Sequence, residues 1–98
     1  MIEDLEFIDI EDKTKDELED YMDYDTILNL ACNFNVVNRN IWLLKEMGIT
    51  NTDLLFKKRS NIFLMNTRKL LDAFSKCDLE KIVKDINVDY SAIDNIFA

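Results

Sequence analysis

The chain contains no proline and a single glycine, Gly48. Sheet proteins place these two residues in turns and at edges, because glycine tolerates unusual backbone angles and proline cannot donate a ladder hydrogen bond. A chain of 98 residues with almost none of either is therefore predicted to be all-α. Since 48% of the residues are apolar, they suffice to close one core at this length. We predict a single compact domain of about five to seven short helices.

Capping residues and the spacing of apolar residues place these helices along the chain. Asn33 and Asn35 are predicted to separate two of them, because Asn prefers caps and turns to helix interiors. The predicted elements are a capping box at Thr14–Glu17 with a helix to about Met22, a helix over 26–32 capped by Asp25, the longest helix over 37–47 closed by Gly48, and shorter helices capped by Thr50 or Thr52, by Asn66 or Thr67, by Asp78 and by Asp89.

One six-residue pattern occurs twice, at 33–38 and at 61–66, with an asparagine at both ends of each copy. An offset of 28 residues superimposes the copies and also aligns Ile27-Leu28 with Leu55-Phe56. Repeats of this length usually indicate stacked helical units, each burying the face that its neighbour leaves open. The pattern predicts a doubled helix-turn-helix unit; the alternative is a coincidence in a chain rich in Asn and Leu.

A longer stretch has the order of elements of a known helical repeat. Residues 41–49 form a leucine-rich pattern ending in Gly-Ile, 52–55 continue as a short helix, and 61–65 as a short apolar turn. Over Val36–Phe74 this order resembles the repeat of the mitochondrial transcription termination factor (mTERF) family. The resemblance implies stacked triple-helical units whose concave, basic side holds duplex nucleic acid. The backbone contacts that it implies here are Lys57, Lys58, Arg59, Arg68 and Lys69.

The net charge of −8 is unevenly distributed. Residues 1–38 carry twelve acidic side chains and two lysines, whereas 39–84 carry ten basic side chains and five acidic ones. Residues 85–98 add three aspartates. We predict an acidic N-terminal arm over 1–12, whose apolar residues dock either on the body or on a partner, and a helical domain over 13–98. Such asymmetry indicates a charged partner.

Most enzymatic and metal-dependent functions lack their residues in this chain. There is no histidine, the commonest general base and metal ligand, and no glycine-rich loop that could hold phosphates. Cys32 and Cys77 form neither a C-x-x-C pair nor a zinc knuckle, and are predicted to be reduced, buried thiols. The acidic residues after Asp20 and Asp23 lack the glycine and glutamate of a calcium-binding EF-hand loop. We predict a non-enzymatic protein without catalytic residues, metal or cofactor.

The sequence also carries signals for location and for surface aromatics. No apolar run approaches the roughly 18 residues of a membrane span, and the acidic start lacks the basic region of a signal peptide. These features predict a cytoplasmic protein without a membrane partner, in the cytoplasm of the host if a virus encodes it. Trp42 and Phe56 lie at helical spacing, which favours core positions over exposed binding anchors.

Two charged clusters are the predicted binding sites, although both also fit an ordinary solvated surface. The acidic cluster suits a protein partner, or imitates the phosphates of nucleic acid and blocks a nucleic-acid-binding enzyme, as small acidic inhibitors of phages and mobile elements do. The basic cluster suits phosphate contacts, unless the acidic segment folds over it. We predict a protein partner first, such an inhibitor second and direct nucleic-acid binding third. The acidic residues are Asp16, Glu17, Glu19, Asp20 and Asp23, and the basic residues are Lys57, Lys58, Arg59, Arg68 and Lys69.

Overall fold

Short helices follow one another throughout residues 3–97, the part of the chain that the computed structural model describes. This part contains no strand, so the prediction of an all-α fold is confirmed. With the 3₁₀ segments counted, helices are somewhat more numerous than predicted. The helix predicted from Thr14 to Met22 is divided in two, the predicted arm contains a 3₁₀ helix, and a short helix forms at the predicted apolar turn before Asn66. The α-helices are α1 (Asp12–Glu17), α2 (Tyr24–Cys32), α3 (Phe34–Glu46), α4 (Thr52–Lys58), α5 (Ser60–Phe63), α6 (Thr67–Ser75) and α7 (Leu79–Val88); the 3₁₀ helices are η1 (Glu3–Phe7), η2 (Leu18–Asp20) and η3 (Tyr90–Phe97).

The longest helix, α3, forms the centre of the fold. Val37, Ile41 and Leu44 recur at intervals of four and three, so they lie on one face of α3, and all three are fully buried. Around this face pack η1, α2, α4, α5 and α6, while η3 packs against α6 and α7. The radius of gyration is 13.0 Å, close to the roughly 13 Å of a compact domain of 100 residues.

The N-terminal segment packs on this body. Asn38 on α3 holds it through its side-chain amide, whose Nδ2 donates to the carbonyl oxygen of Phe7 at 2.6 Å and whose Oδ1 accepts from the amide of Asp9 at 2.8 Å. The start of the predicted arm, residues 1–2, lies outside the described residues. The segment contributes three apolar side chains to the core, Leu5, Ile8 and Ile10.

The predicted capping box at Thr14 is wrong. Helix α1 begins two residues earlier, after Glu11, and Thr14 is buried inside it. The Thr14 hydroxyl donates to Oδ2 of Asp53 at 2.7 Å, and the amide of Glu11 donates to the same oxygen at 2.9 Å. A carboxylate from α4 therefore takes the hydroxyl that the pattern assigned to the helix terminus. Beyond Glu17 the chain continues as 3₁₀ helix to Asp20 rather than as α-helix to Met22.

The boundaries of α2 and α3 also differ from the prediction. Asp23, not Asp25, caps α2, because its carboxylate accepts from the amide of Thr26 at 2.8 Å. The break before α3 is a single residue, Asn33, and Asn35 lies inside the helix. Packing of the whole α3 face against the core outweighs the low helix propensity of Asn.

The end of α3 is closed as predicted. Gly48 has a φ of +101°, in the left-handed region that favours glycine. Neither Thr50 nor Thr52 caps the next helix, which follows Asn51 without a side-chain cap. Instead Asn87, in the last turn of α7, holds this connection: its Oδ1 accepts from the amide of Thr50 at 2.9 Å, and its Nδ2 donates to the carbonyl of Gly48 at 3.0 Å.

Three predicted caps nearer the C-terminus are confirmed. Asn66 accepts from two amides at the start of α6, at 2.9 and 3.3 Å. Asp78 accepts from the amide of Lys81 at 3.3 Å, and Asp89 accepts from the amide of Ser91 at 3.0 Å. The last element, however, is a 3₁₀ helix.

The two copies of the predicted repeat have different backbone structures. With the offset of 28 residues, α2 coincides with α4, but α3 coincides with two helices, α5 and α6, separated by residues 64–66. Asn38 lies within a helix, whereas its counterpart Asn66 caps one. The break in the second copy has a partner in α3, because Nδ2 of Asn40 donates to the carbonyls of Phe63 and Met65, both at 2.8 Å.

The predicted burial of two side chains is wrong. Trp42 is 51% exposed, because it lies on α3 beside the buried face rather than on it, and its indole N–H donates to Asp9 at 2.8 Å. Cys32, at the end of α2, is exposed. Cys77 is half-buried, and both cysteines are free thiols. The core position of Phe56 is confirmed, since its side chain is 0% exposed.

Candidate functional site

The five predicted acidic residues fall into two groups. Glu17 accepts from the ammonium of Lys57 at 2.8 Å, and Asp23 caps α2, so both carboxylates have partners within the chain. Asp16, Glu19 and Asp20 are exposed, and they form no salt bridge or hydrogen bond through their side chains among residues 3–97. These three carboxylates, on α1 and η2, are therefore free to contact another molecule.

Lys57 and Lys58 both contact the segment that carries Glu17 and Tyr21; Lys57 is half-buried there, whereas Lys58 is exposed. The Lys57 and Lys58 ammonium groups lie 5.1 and 4.7 Å from the centroid of the Tyr21 ring, within the range of cation–π attraction. Lys57 also pairs with Glu17, as described above. The end of α4 thus faces Glu17 and Tyr21 of its own chain.

Arg59 is held by the C-terminal part of the chain. Its Nε and Nη2 donate to the two carboxylate oxygens of Asp94, each at 2.9 Å, in the bidentate geometry that makes such pairs strong. The guanidinium also lies 5.2 Å from the centroid of the Tyr90 ring. Arg68 and Lys69, by contrast, are exposed in the first turn of α6 and have no salt-bridge partner within the described chain.

These pairs shift the pKa values of their members. The hydrogen bond from Lys57 lowers the pKa of Glu17, and the hydrogen bond from Arg59 lowers that of Asp94. In turn, the hydrogen bonds to these carboxylates raise the pKa values of Lys57 and Arg59. The pKa of Asp23 is lowered mainly by hydrogen bonding to the side chain of Thr26, and further by the hydrogen bond from the Thr26 backbone amide.

We expect these pairs to give stability a definite dependence on pH. The ordinary pKa values are 4.5 for Glu17 and 3.8 for Asp94, and both folded values are lower. Their contribution is therefore complete above the ordinary values, and it is lost as the pH falls through the folded values. The Lys57 contribution is complete below 10.5 and is lost above it. Thermal unfolding followed by circular dichroism from pH 2 to 7 measures how far the melting temperature falls as these carboxylates become protonated.

The double variant Glu17→Gln and Asp94→Asn should show a shallower fall of the melting temperature at acid pH. A matched control removes two exposed acidic groups that make no salt bridge in the described chain, Asp16→Asn and Asp85→Asn. If the melting temperature fell equally steeply at acid pH in the Glu17→Gln and Asp94→Asn variant and in the wild type, these two pairs would not be the source of the pH dependence.

A groove lies beside the free carboxylates, between the N-terminal segment and α2. Its volume is about 410 Å³. Its floor consists of buried apolar side chains, Leu5, Leu18 and Ile27. Its rim consists of Lys15, Asp16, Glu19 and Tyr24, of which Tyr24 is 64% exposed. We call this feature the acidic groove.

The charge around the acidic groove is negative. A second depression of about 370 Å³ shares Lys15 and Asp16 with it and adds Glu6 and Asp12. The two depressions together are lined by four carboxylates and a single ammonium. That ammonium is engaged, since Lys15 lies 3.8 Å from the carboxylate of Asp12 and 3.5 Å from the carbonyl of Glu6. The lining therefore favours a cation.

A third depression, of about 380 Å³, lies between α6 and η3 and has a different character. Lys69 and Lys76 line it together with Asp72 and apolar side chains that include Phe97. The predicted basic residue Lys69 thus belongs to this depression. The sequence gives no sign of it, because it joins residues from 65 to 97.

No group of three or more Cys, Asp or Glu side chains in residues 3–97 is arranged to hold a metal ion. None of the helices in this part of the chain has the length and apolar character needed to cross a membrane.

The chain matches no protein-family model, no curated protein and no solved structure. The resemblance to the mTERF repeat over Val36–Phe74 therefore stays a prediction. Of the phosphate contacts that this resemblance implies, Lys57 and Arg59 form salt bridges within the chain, and Lys58 lies over the Tyr21 ring. Arg68 and Lys69 lack salt-bridge partners among residues 3–97.

Proposed function

We propose that this chain is a non-enzymatic, cytoplasmic binding protein whose partner is another protein. The observation that carries the proposal is the contrast between its two charged clusters. The cations of Lys57 and Arg59 are paired with carboxylates of the same chain, whereas the exposed carboxylates of Asp16 and Glu19 rim a groove with an apolar floor. A surface that combines negative charge with apolar area suits a basic protein surface.

A nucleic-acid partner is disfavoured by the same charges. Phosphate binding needs several unpaired cations, and each cation already paired with a carboxylate must first lose that partner. Of the five predicted basic residues, Lys58, Arg68 and Lys69 have no carboxylate partner among residues 3–97, and these three would supply only weak, salt-sensitive binding. Residues 1–38 carry a net charge of −10 that repels a polyanion. Use of Lys57 as a further phosphate contact would require its contacts with Glu17 and Tyr21 to open.

A second proposal is an inhibitor of a nucleic-acid-binding enzyme, of the kind that phages and mobile elements encode. The observation that favours it is the position of Asp16, Glu19 and Asp20 on consecutive short helices, which fixes their backbone positions relative to one another. Carboxylates carried on such a frame can imitate a row of phosphates in a basic groove. The two proposals share a protein partner and differ in what that partner does.

The test is a pull-down from a bacterial lysate at low and moderate salt, with nuclease added to half of each sample. The decisive variant replaces Asp16→Asn, Glu19→Gln and Asp20→Asn and leaves the Glu17–Lys57 pair intact. Asp72→Asn, Glu80→Gln and Asp85→Asn make a control with the same change in net charge. We expect a nuclease-resistant protein that the wild type and the control retain and the decisive variant loses.

Each other outcome points to a different function. Recovery of nucleic acid that is lost as salt rises, and with Arg68→Glu and Lys69→Glu, would overturn the proposal in favour of nucleic-acid binding. If the decisive variant also retained the protein, the partner would bind a surface other than the one formed by Asp16, Glu19 and Asp20. If the recovered protein is a nuclease or polymerase whose activity falls on addition of this chain, the inhibitor proposal replaces the more general one.

A further inference from the structure

We propose that the acidic groove binds a basic amphipathic segment of the partner protein. A large apolar side chain of that segment enters the groove, and Lys or Arg side chains one helical turn away contact the carboxylates of the rim. This inference rests on the proposed function, because it names the surface and the chemistry of the partner that such a binding protein would use.

The floor of the groove determines the apolar part of the ligand. Leu5, Leu18 and Ile27 come from three different elements and line the groove, each with at most 4% of its surface exposed. A volume of about 410 Å³ lies within the roughly 300–1,000 Å³ of ligand clefts, enough for one large side chain and parts of its neighbours. Tyr24 stands beside this floor with most of its side chain exposed, and exposed tyrosines are frequent hot spots of protein interfaces.

The rim determines the charged part of the ligand. Asp16 and Glu19 lie three residues apart, and the adjoining depression adds Glu6 and Asp12. An acidic or neutral apolar segment would leave these carboxylates partly desolvated without a partner, which costs free energy. A basic segment gives each a counter-charge, and charge complementarity of this kind favours one class of partner and speeds its association.

The walls are held in position by bonds within the chain. Asn38 fixes the N-terminal segment to α3, and Asp53 fixes the start of α1 through Glu11 and Thr14. Asp23 caps α2, which carries Tyr24 at its first position. Because the walls of the groove are already ordered, ligand binding loses little free energy to the ordering of the protein.

The experiment uses three fluorescein-labelled synthetic peptides, each of about 18 residues, a length that forms a helix on binding. The first combines Lys with one face of Leu; the second keeps the Lys residues and replaces Leu by Ser; the third keeps Leu and replaces Lys by Glu. Fluorescence anisotropy with the full chain at physiological salt measures each dissociation constant. We expect the Lys/Leu peptide to bind at least about tenfold more tightly than either of the others.

Variants of the chain locate the binding. Tyr24→Ala, and separately the pair Asp16→Asn and Glu19→Gln, should each weaken the Lys/Leu peptide about tenfold. Two matched controls should change the dissociation constant of the Lys/Leu peptide by no more than about twofold. Phe97→Ala removes an exposed aromatic side chain of the depression between α6 and η3, and Glu80→Gln with Asp85→Asn removes two charges elsewhere. Tyr24→Phe keeps the ring and should bind like the wild type, which assigns any loss in Tyr24→Ala to the ring rather than to the hydroxyl. An unchanged melting temperature of Tyr24→Ala by circular dichroism excludes a folding defect.

Several results would overturn the inference. Equal binding of the Lys/Leu and Lys/Ser peptides would reduce the effect to general attraction between opposite charges. No binding of the Lys/Leu peptide, or amide shifts in its NMR titration confined to residues 65–97, would exclude the acidic groove as the site. The proposed function fails separately, if the pull-down recovers only nucleic acid. A protein recovered by the decisive variant as well as by the wild type supports a protein partner but overturns this surface.

Discussion

Replacing Asn40 by alanine is expected to lower the free energy of unfolding by about 3 kcal/mol, from the loss of three hydrogen bonds at about 1 kcal/mol each. The side chain is fully buried in the middle of α3. Its Nδ2 donates to the carbonyls of Phe63 and Met65, and its Oδ1 accepts from the hydroxyl of Thr67, each at 2.8 Å. Alanine would leave the Phe63 carbonyl without a partner in the interior, and the Met65 carbonyl and the Thr67 hydroxyl without this partner at half-buried positions, where water compensates only in part.

The same contacts make Asn40 the connection between the central helix and the break that separates α5 from α6. Asn40→Asp should cost at least as much as Asn40→Ala, because the shape is kept while both donors are lost and a charge is buried. Asn35→Ala, at an exposed position of the same helix, is the control, with an expected change within about 0.5 kcal/mol. Urea unfolding followed by circular dichroism at 222 nm measures all three. Equal midpoints for Asn40→Ala and Asn35→Ala would show that these bonds contribute nothing.

The fold class could be predicted from the sequence because it depends on local properties. The scarcity of Gly and Pro excludes most sheets, and apolar spacing marks the buried face of α3 over Val37, Ile41 and Leu44. Asn66 and Asp78 cap helices as predicted, since their partners lie two or three residues away. These caps bond within their own turn, so the sequence contains the information needed, although a neighbouring aspartate can compete for the position, as Asp25 does with Asp23 at α2.

Predictions failed where a polar side chain bonds a distant segment. Thr14 has the form of a helix cap, but its partner Asp53 lies 39 residues further along the chain. Asn38 and Asn40 resemble ordinary helix-interior residues of low propensity, yet their partners lie 31 and 23 residues away. The frequent asparagines of this chain thus include several that connect helices by hydrogen bonds to backbone atoms, a role that spacing along the sequence does not reveal.

The candidate site shows the same division. Counting charges identified Asp16 and Glu19, but it could not separate them from Glu17, which is paired with Lys57. The groove itself was missed, because its floor joins Leu5 to Ile27, and no local pattern relates these positions. Exposed aromatic residues beside a charged stretch are the signal that could have suggested it.

Replacing Phe56 by alanine is expected to have the largest effect on stability, about 3–5 kcal/mol, the usual cost of removing a buried phenylalanine side chain. Phe56 is fully buried and packs edge-on against Phe63, with ring centroids 5.3 Å apart and planes inclined by 60°. The loss combines the apolar area returned to water with the cavity left between α4 and α5. Because a domain of this size has about 5–15 kcal/mol in total, the variant would approach the limit of folding.

Phe56→Leu keeps the measurement possible, since it retains most of the volume and should cost about 1–2 kcal/mol. Trp42→Ala is the matched comparison: the larger aromatic is half exposed, so its removal should cost less than about 1 kcal/mol even though it breaks the bond to Asp9. Because Trp42 is the sole tryptophan, unfolding in urea must be followed by circular dichroism rather than fluorescence. If Trp42→Ala proved as costly as Phe56→Leu or more so, the indole would lie in the core, and the burial of α3 would have to be reassigned by one residue.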